Sequence, residues 1–171
     1  MLIIFLILAV SLTAFSCRSE SGNVYQGKLP GKKELADMNR YLVQKDRERI
    51  ESYIDRRDLP MKESPSGLWY YIEVAGEGSD FTDNDRIIME YDCFLIDGTL
   101  CYSSTELGPR GLILGRSEME PGLNQALRML KPGGKGTFIL PPFLAFGLKG
   151  DGKKIPPRST LVYEIRIPSK K

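Results

Sequence analysis

Residues 136–167 read GTFILPPFLAFGLKGDGKKIPPRSTLVYEIRI, two strand-like runs joined by a loop rich in glycine and proline. In the second run Leu161, Tyr163, Ile165 and Ile167 alternate with Val162, Glu164 and Arg166. One face is therefore apolar and calls for burial against a core. Pro156 and Pro157 cannot donate ladder hydrogen bonds, which holds the exit of the loop outside the sheet. The expectation is a stiff loop draped over the rim of a sheet, with Phe146 and Ile155 at its two ends. Such a loop encloses a preformed apolar hollow, and the upstream chain supplies its walls.

Those walls read as short strands. Leu68–Val74 is aromatic and β-branched and is followed by the Gly76-Glu77-Gly78 turn. In Arg86–Ile96, Ile87, Met89, Tyr91, Cys93 and Leu95 alternate with polar residues such as Glu90 and Asp92. Asp97-Gly98 signals a hairpin, Thr99–Ser104 returns, and Leu112–Leu114 is a further short strand. Pro121–Leu130 is the one clear helix of this half, opened by a proline suited to a first turn and ended by Lys131-Pro132-Gly133-Gly134. The predicted fold class is α+β: an antiparallel sheet of five to six strands wrapped around one short helix, occupying residues 64–171.

Before this domain the chain changes character twice. Leu2–Phe15 is almost wholly apolar and short for a membrane span, so residues 1–16 read as a signal peptide. Ala14-Phe15-Ser16-Cys17 resembles a bacterial lipoprotein box, which implies lipidation of Cys17 and a folded part anchored at the cell envelope, periplasm-facing or on the outer membrane. Residues 17–31 read as a polar tether spanning roughly 20 Å by random-coil scaling. Residues 32–59 lack glycine and carry one proline-free run dense in helix formers up to Asp58, with Leu35, Met38, Leu42, Ile50, Tyr53 and Ile54 in a broken apolar stripe. This helix can lie on its own domain, act as a spacer, or mediate a homodimer.

Composition removes several chemistries. Among 171 residues, 24 basic and 22 acidic side chains leave a formal charge of +2, which is no footprint for nucleic acid. There is no histidine, which removes the commonest metal ligand, and three scattered cysteines lack zinc-site spacing. The glycine pairs do not fit phosphate-binding loops.

A family resemblance follows from motifs in order. These are Ser66-Gly67-Leu68-x-Tyr70, Gly76-x-Gly78, Tyr91, Asp97-Gly98-Thr99, Ser103-Ser104, Leu114-Gly115, Pro121-Gly122-Leu123, Lys131-Pro132-Gly133, Pro142, Ala145-Phe146-Gly147, Ile155-Pro156-Pro157 and Thr160-Leu161-Val162. Over about residues 65–168 the chain resembles the FKBP-type peptidyl-prolyl cis-trans isomerases. With its lipoprotein start and basic N-terminal helix it is similar to the gliding-motility-associated FKBP lipoproteins of Bacteroidota. The resemblance implies an enzyme without nucleophile, metal or cofactor. The amide barrier of ~18–20 kcal/mol is lowered by gripping a proline ring and favouring the twisted amide.

Carried over by position, the resemblance implies that Tyr91, Phe146 and Ile155 act in catalysis, and that the backbone N–H of Glu120 donates to a substrate carbonyl. Leu112, Met119, Leu123, Cys101, Tyr102 and Tyr163 would complete the substrate pocket. Two departures predict weakened turnover. Cys101-Tyr102-Ser103-Ser104 stands where the family usually has Phe-Asp-Ser-Ser, losing an aromatic wall and a buried carboxylate. Phe146 stands where tyrosine is usual, losing a hydroxyl worth roughly 0.5–1.5 kcal/mol, or about two- to tenfold in rate. The implied partners are proline-containing exported polypeptides whose folding the protein assists. The alternative is a non-enzymatic chaperone or assembly module on the same fold.

Two smaller expectations concern the hairpin and the rim. With a three-residue Ile96-Asp97-Gly98 loop, Leu95 pairs with Thr99, Cys93 sits opposite Cys101, and a disulfide can bridge them. With a two-residue loop the cysteines fall on opposite faces. Arg110, Lys149, Lys153 and Lys154 surround the expected pocket, either as a solvated face or as a preference for acidic residues beside the proline.

Overall fold

The computed structural model describes residues 30–116 and 119–169. The expected signal peptide, Cys17 and the tether up to residue 29 lie outside the described residues. The elements are α1 (Lys32–Arg57), β1 (Lys62–Glu63), β2 (Trp69–Val74), β3 (Arg86–Leu95), β4 (Leu100–Ser103), α2 (Ser104–Leu107), β5 (Arg110–Ile113), α3 (Pro121–Leu127), β6 (Lys135–Leu140), a 3-10 turn (Pro142–Leu144) and β7 (Leu161–Arg166). Strand order is β1-β2-β6-β7-β3-β4, every pairing is antiparallel, and β5 pairs with β3. The fold class is the expected α+β sheet around a short helix. The strand count rises to seven because the two-residue β1, too short to leave a sequence period, pairs with β2.

Strand β3 organises the sheet. Its residues 90–95 pair with β7 along one edge, while its other edge is shared by β5, at Arg86–Met89, and by β4, at Asp92–Phe94. Tyr91 falls in the gap between those two short partners, where its N–H would lack a ladder acceptor. The Ser104 hydroxyl accepts it at 2.9 Å. The short helix α2 follows from that insertion, with Ser103 Oγ capping it by accepting from Thr105 N.

Alternation sorts the two faces. Ile87, Met89 and Cys93 of β3, Phe138 and Leu140 of β6, and Leu161, Tyr163 and Ile165 of β7 enter the core around α3, whose Leu123, Ala126 and Leu127 are fully buried. Gly122 lets α3 approach closely: a Cβ there would lie 2.6 Å from Leu140 Cγ and 2.9 Å from the Leu144 carbonyl.

The opposite face of the sheet is covered by the C-terminal half of α1. Ile50 and Ile54 pack with Ile139 and Val162, flanked by Trp69, Phe94 and Ile96. Fully burying such a side chain is worth about 1.5–3 kcal/mol. Asp46, also buried, accepts from Arg158 Nη2 at 2.7 Å and fastens the helix to the end of the 141–160 loop. The helix thus lies on its own domain through half its length. Leu35, Met38 and Tyr41 in its first turns remain exposed.

Candidate functional site

The loop between β6 and β7 is held by its own backbone. Gly147 N donates to the Pro142 carbonyl and Arg158 N to the Gly147 carbonyl, each at 2.9 Å, which ties the two ends of the loop together. Within it, Asp151 Oδ1 accepts from Lys153 N and Ile155 N at 2.8 Å, and Asp151 N donates to the Ile155 carbonyl at 3.1 Å. Gly150, at φ +68°, is obligatory because a Cβ would fall 2.2 Å from the Ile155 carbonyl oxygen. These bonds deliver Ile155, almost fully buried, into the same apolar cluster as half-buried Phe146.

The walls come from the sheet. Cys93 and Tyr163 face each other across the β3–β7 ladder, and Tyr91 lies one inward position along from Cys93. The rings of Tyr91 and Tyr163 are 6.3 Å apart at 43°. Leu123 of α3 lies fully buried beneath and Met119 is buried just before it. Leu112 and Arg110 alternate inward from β5, opposite Ile87 and Met89. Tyr91, Leu112, Met119, Leu123, Cys101, Tyr102, Phe146, Ile155 and Tyr163 all belong to the main core cluster of the domain, and Glu120 meets it through the Tyr163 hydroxyl.

The site is shallower and more polar than the loop alone suggests. Leu123, Cys101, Ile155 and Tyr163 are withdrawn from solvent, leaving Tyr91, Tyr102, Leu112 and Phe146 partly open. Three clefts among the described residues, of about 930, 800 and 280 Å³, lie elsewhere: two beside Phe81 and Arg86, one between α1 and Pro157-Arg158. An ion pair also enters the pocket. The Glu120 side chain, 4% exposed, accepts from Arg110 Nη1 and Nη2 at 3.4 Å each and from the Tyr163 hydroxyl at 3.0 Å.

Sequence reasoning assigned Glu120 a backbone role and counted a buried carboxylate as lost. The structure places one there, donated by the residue before α3 and not by β4. The available signal was an arginine and a glutamate on either side of a short strand-to-helix connection. The main-chain N–H of Glu120 has no hydrogen-bond acceptor among the described residues.

Burial governs the protonation of this group. It pushes the Tyr163 hydroxyl well above its usual range, with the neighbouring Cys93 and Glu120 adding to the effect. Burial raises the Cys93 thiol to about 12, partly opposed by its hydrogen bond with Tyr163. Burial also works against the charge on Arg110, but the Glu120 carboxylate more than offsets it and the guanidinium is held more firmly protonated than usual.

Two expectations about β4 need correction. The hairpin does close on a three-residue loop: Leu95 N donates to the Thr99 carbonyl, with Gly98 at φ +95°. A bulge then follows, so Cys93 registers with Tyr102 and not Cys101. Cys93 and Cys101 are free thiols. Cys101 Sγ donates instead toward the Lys154 carbonyl at 3.6 Å, while Cys93 meets the Tyr163 hydroxyl. Tyr102, expected as substrate-binding, sends its hydroxyl to Asp151 and lies beneath the Lys154 ammonium, which is 5.5 Å from its ring centroid. It therefore pins the loop as well as lining the pocket edge.

Comparison with known proteins extends the same picture. Residues 78–168 match the sequence pattern of the family described as FKBP-type peptidyl-prolyl cis-trans isomerase. A relative from Neisseria meningitidis serogroup B named FkpA is 36% identical over 107 residues, 63% of this chain and 39% of the relative. The outer membrane protein MIP of Legionella longbeachae is also 36% identical over 107 residues, 63% of this chain and 46% of its own length. The chain thus spans less than half the length of either. The crystal structure of FkpA from Escherichia coli superposes with a TM-score of 0.61 at 26% identity, covering 83% of this chain and 74% of that one.

Proposed function

The chain belongs to the FKBP-type peptidyl-prolyl cis-trans isomerase family, and on that footing we propose that it isomerises X–Pro bonds in exported polypeptides, slowly for its family. The observation that carries this reading is the convergence of Tyr91, Phe146, Ile155, Tyr163 and Leu123 on one apolar cluster beneath the stiff 141–160 loop. A proline ring enters between Tyr91, Phe146 and Ile155, and the N–H of Glu120 takes the substrate carbonyl. The reaction is driven by contacts that strengthen as the amide twists out of plane, since only those lower the barrier.

Three features support weak turnover: no hydroxyl at Phe146, no aromatic side chain at Cys101, and the Arg110–Glu120 charges inside what would otherwise be a dry wall. We place the protein at the cell envelope, held by a lipid on Cys17 after removal of residues 1–16. The apolar Leu2–Phe15 run and the outer-membrane name of one relative support this reading. The exposed Leu35, Met38 and Tyr41 of α1 support a second role for that helix as spacer or dimer contact.

The Arg110–Glu120 pair favours a second reading, in which the same pocket holds proline segments without isomerising them. A protease-free isomerisation assay on Leu-Pro and Phe-Pro peptides separates the two. Turnover roughly two- to tenfold below a family member with tyrosine at Phe146 is expected. A full family rate contradicts the weakening, and bound peptide with no rate above the uncatalysed one leaves the binding module.

A further inference from the structure

Arg110 serves two directions at once. Its contacts to Glu120, 3.4 Å at both Nη1 and Nη2, are longer than the 2.7–2.9 Å of tight charge-assisted hydrogen bonds. A guanidinium carries five N–H donors, so Glu120 leaves most of that capacity unused. The Arg110 side chain is 32% exposed against 4% for Glu120, so part of the guanidinium stays open to solvent.

The loop across the mouth carries the same sign of charge. Lys149, Lys153 and Lys154 are all exposed and make no ion pair among the described residues. Asp151 is the only acidic residue between Glu120 and Glu164. Its carboxylate is turned inward, accepting from the Lys153 and Ile155 amides and from Tyr102. The loop therefore presents three exposed ammonium groups and no outward carboxylate of its own, with Lys154 lying over the Tyr102 ring. Their field adds along the path that a peptide must take to reach Tyr91 and Phe146.

We infer that this pocket selects proline segments with an acidic residue beside the proline, the substrate carboxylate being taken by the outer donors of Arg110 and drawn in by the three loop lysines. The inference rests on the proline-binding reading above. It makes Arg110 a specificity residue whose inner face is set by Glu120 and Tyr163. A peptide fits this patch better than a membrane surface does, because the unpaired cations sit on the loop that roofs the pocket and not on a flat face.

The test uses the full chain and matched peptides with Glu, Gln or Lys beside the proline, measured both for isomerisation and for binding by NMR titration. Glu and Gln differ in charge and hardly in shape. The expected result is a Glu-over-Gln preference of about fivefold at low ionic strength, the size of a few partly exposed ion pairs. It falls toward unity in about 1 M salt, where the Debye length is about 3 Å. The preference also falls in Lys149→Gln/Lys153→Gln/Lys154→Gln, whose changes lie on an exposed loop, and in Arg110→Gln/Glu120→Gln, which leaves no lone buried charge.

Turnover without a Glu-over-Gln difference overturns the selectivity and leaves the isomerase reading standing. Selective binding without turnover supports the selectivity and removes the catalysis. Absence of both turnover and binding overturns both. Lysine-dependent sedimentation with vesicles of phosphatidylglycerol, with no peptide preference, assigns the patch to a lipid surface and overturns the proposal.

Discussion

Cys93 shows how far a single side chain in this pocket departs from its behaviour in water. Its thiol is held up at about 12 by burial, against an ordinary value of 9.0. Between those limits the unfolded chain releases the proton and the folded one keeps it, so the folded state is progressively disfavoured as pH rises. Stability from this group is complete below pH 9 and is lost by about 1.4 kcal/mol per pH unit up to about pH 12. Urea denaturation from pH 8 to 11 should show that slope, and Cys93→Ala should flatten it. The Cys101 thiol and the tyrosines, Tyr163 first, are also raised by burial and leave a residual slope. At this scale the sequence was only partly readable. Which residue types meet in the pocket follows from alternation and motif order. That Glu120 turns inward to Arg110 and Tyr163, and does not cap α3, depends on side-chain direction that no period encodes.

Among the elements, the 141–160 loop makes the sharpest prediction. Gly150 and Gly152 both have positive φ, +68° and +70°, yet only Gly150 is hemmed in by the Ile155 carbonyl and Pro156 backbone. Gly152→Ala should cost about 1 kcal/mol from backbone strain alone. Gly150→Ala should cost about 2–4 kcal/mol, because strain and overpacking add. Urea midpoints of the two variants test this, and equal costs would mean that the loop yields easily. The strands and α3 were legible because alternation, turn residues and a first-turn proline agree with one another. The parts that escaped are those created by neighbours: β1 exists only as a partner of β2, the bulge at Cys101 breaks the simple hairpin register, and α2 fills the gap between β4 and β5. Val162 was a signal in plain view, an apolar residue on the otherwise polar side of β7, and α1 is what covers it.

Taken as one body, the molecule does not end where its family pattern does. The match begins at residue 78 and the strand-rich sequence at Ser64, but Ile139, Val162, Trp69 and Phe94 need Ile50 and Ile54 above them. A fragment starting at Ser64 would expose that apolar patch, the kind of surface that promotes association. Size-exclusion chromatography should find residues 64–171 self-associated or poorly soluble where residues 30–171 keep that face covered. A monodisperse, equally stable short fragment would show that the helix is dispensable. The clasp between Asp46 and Arg158 reaches further than stability. A 26-residue helix is about 39 Å long, and near its middle Asp46 locks it to the same loop that roofs the pocket. Whatever grips the chain near Lys32 therefore sets the bearing of the mouth as well as its distance, as a lamp on a rigid bracket points one way while a lamp on a cord turns freely.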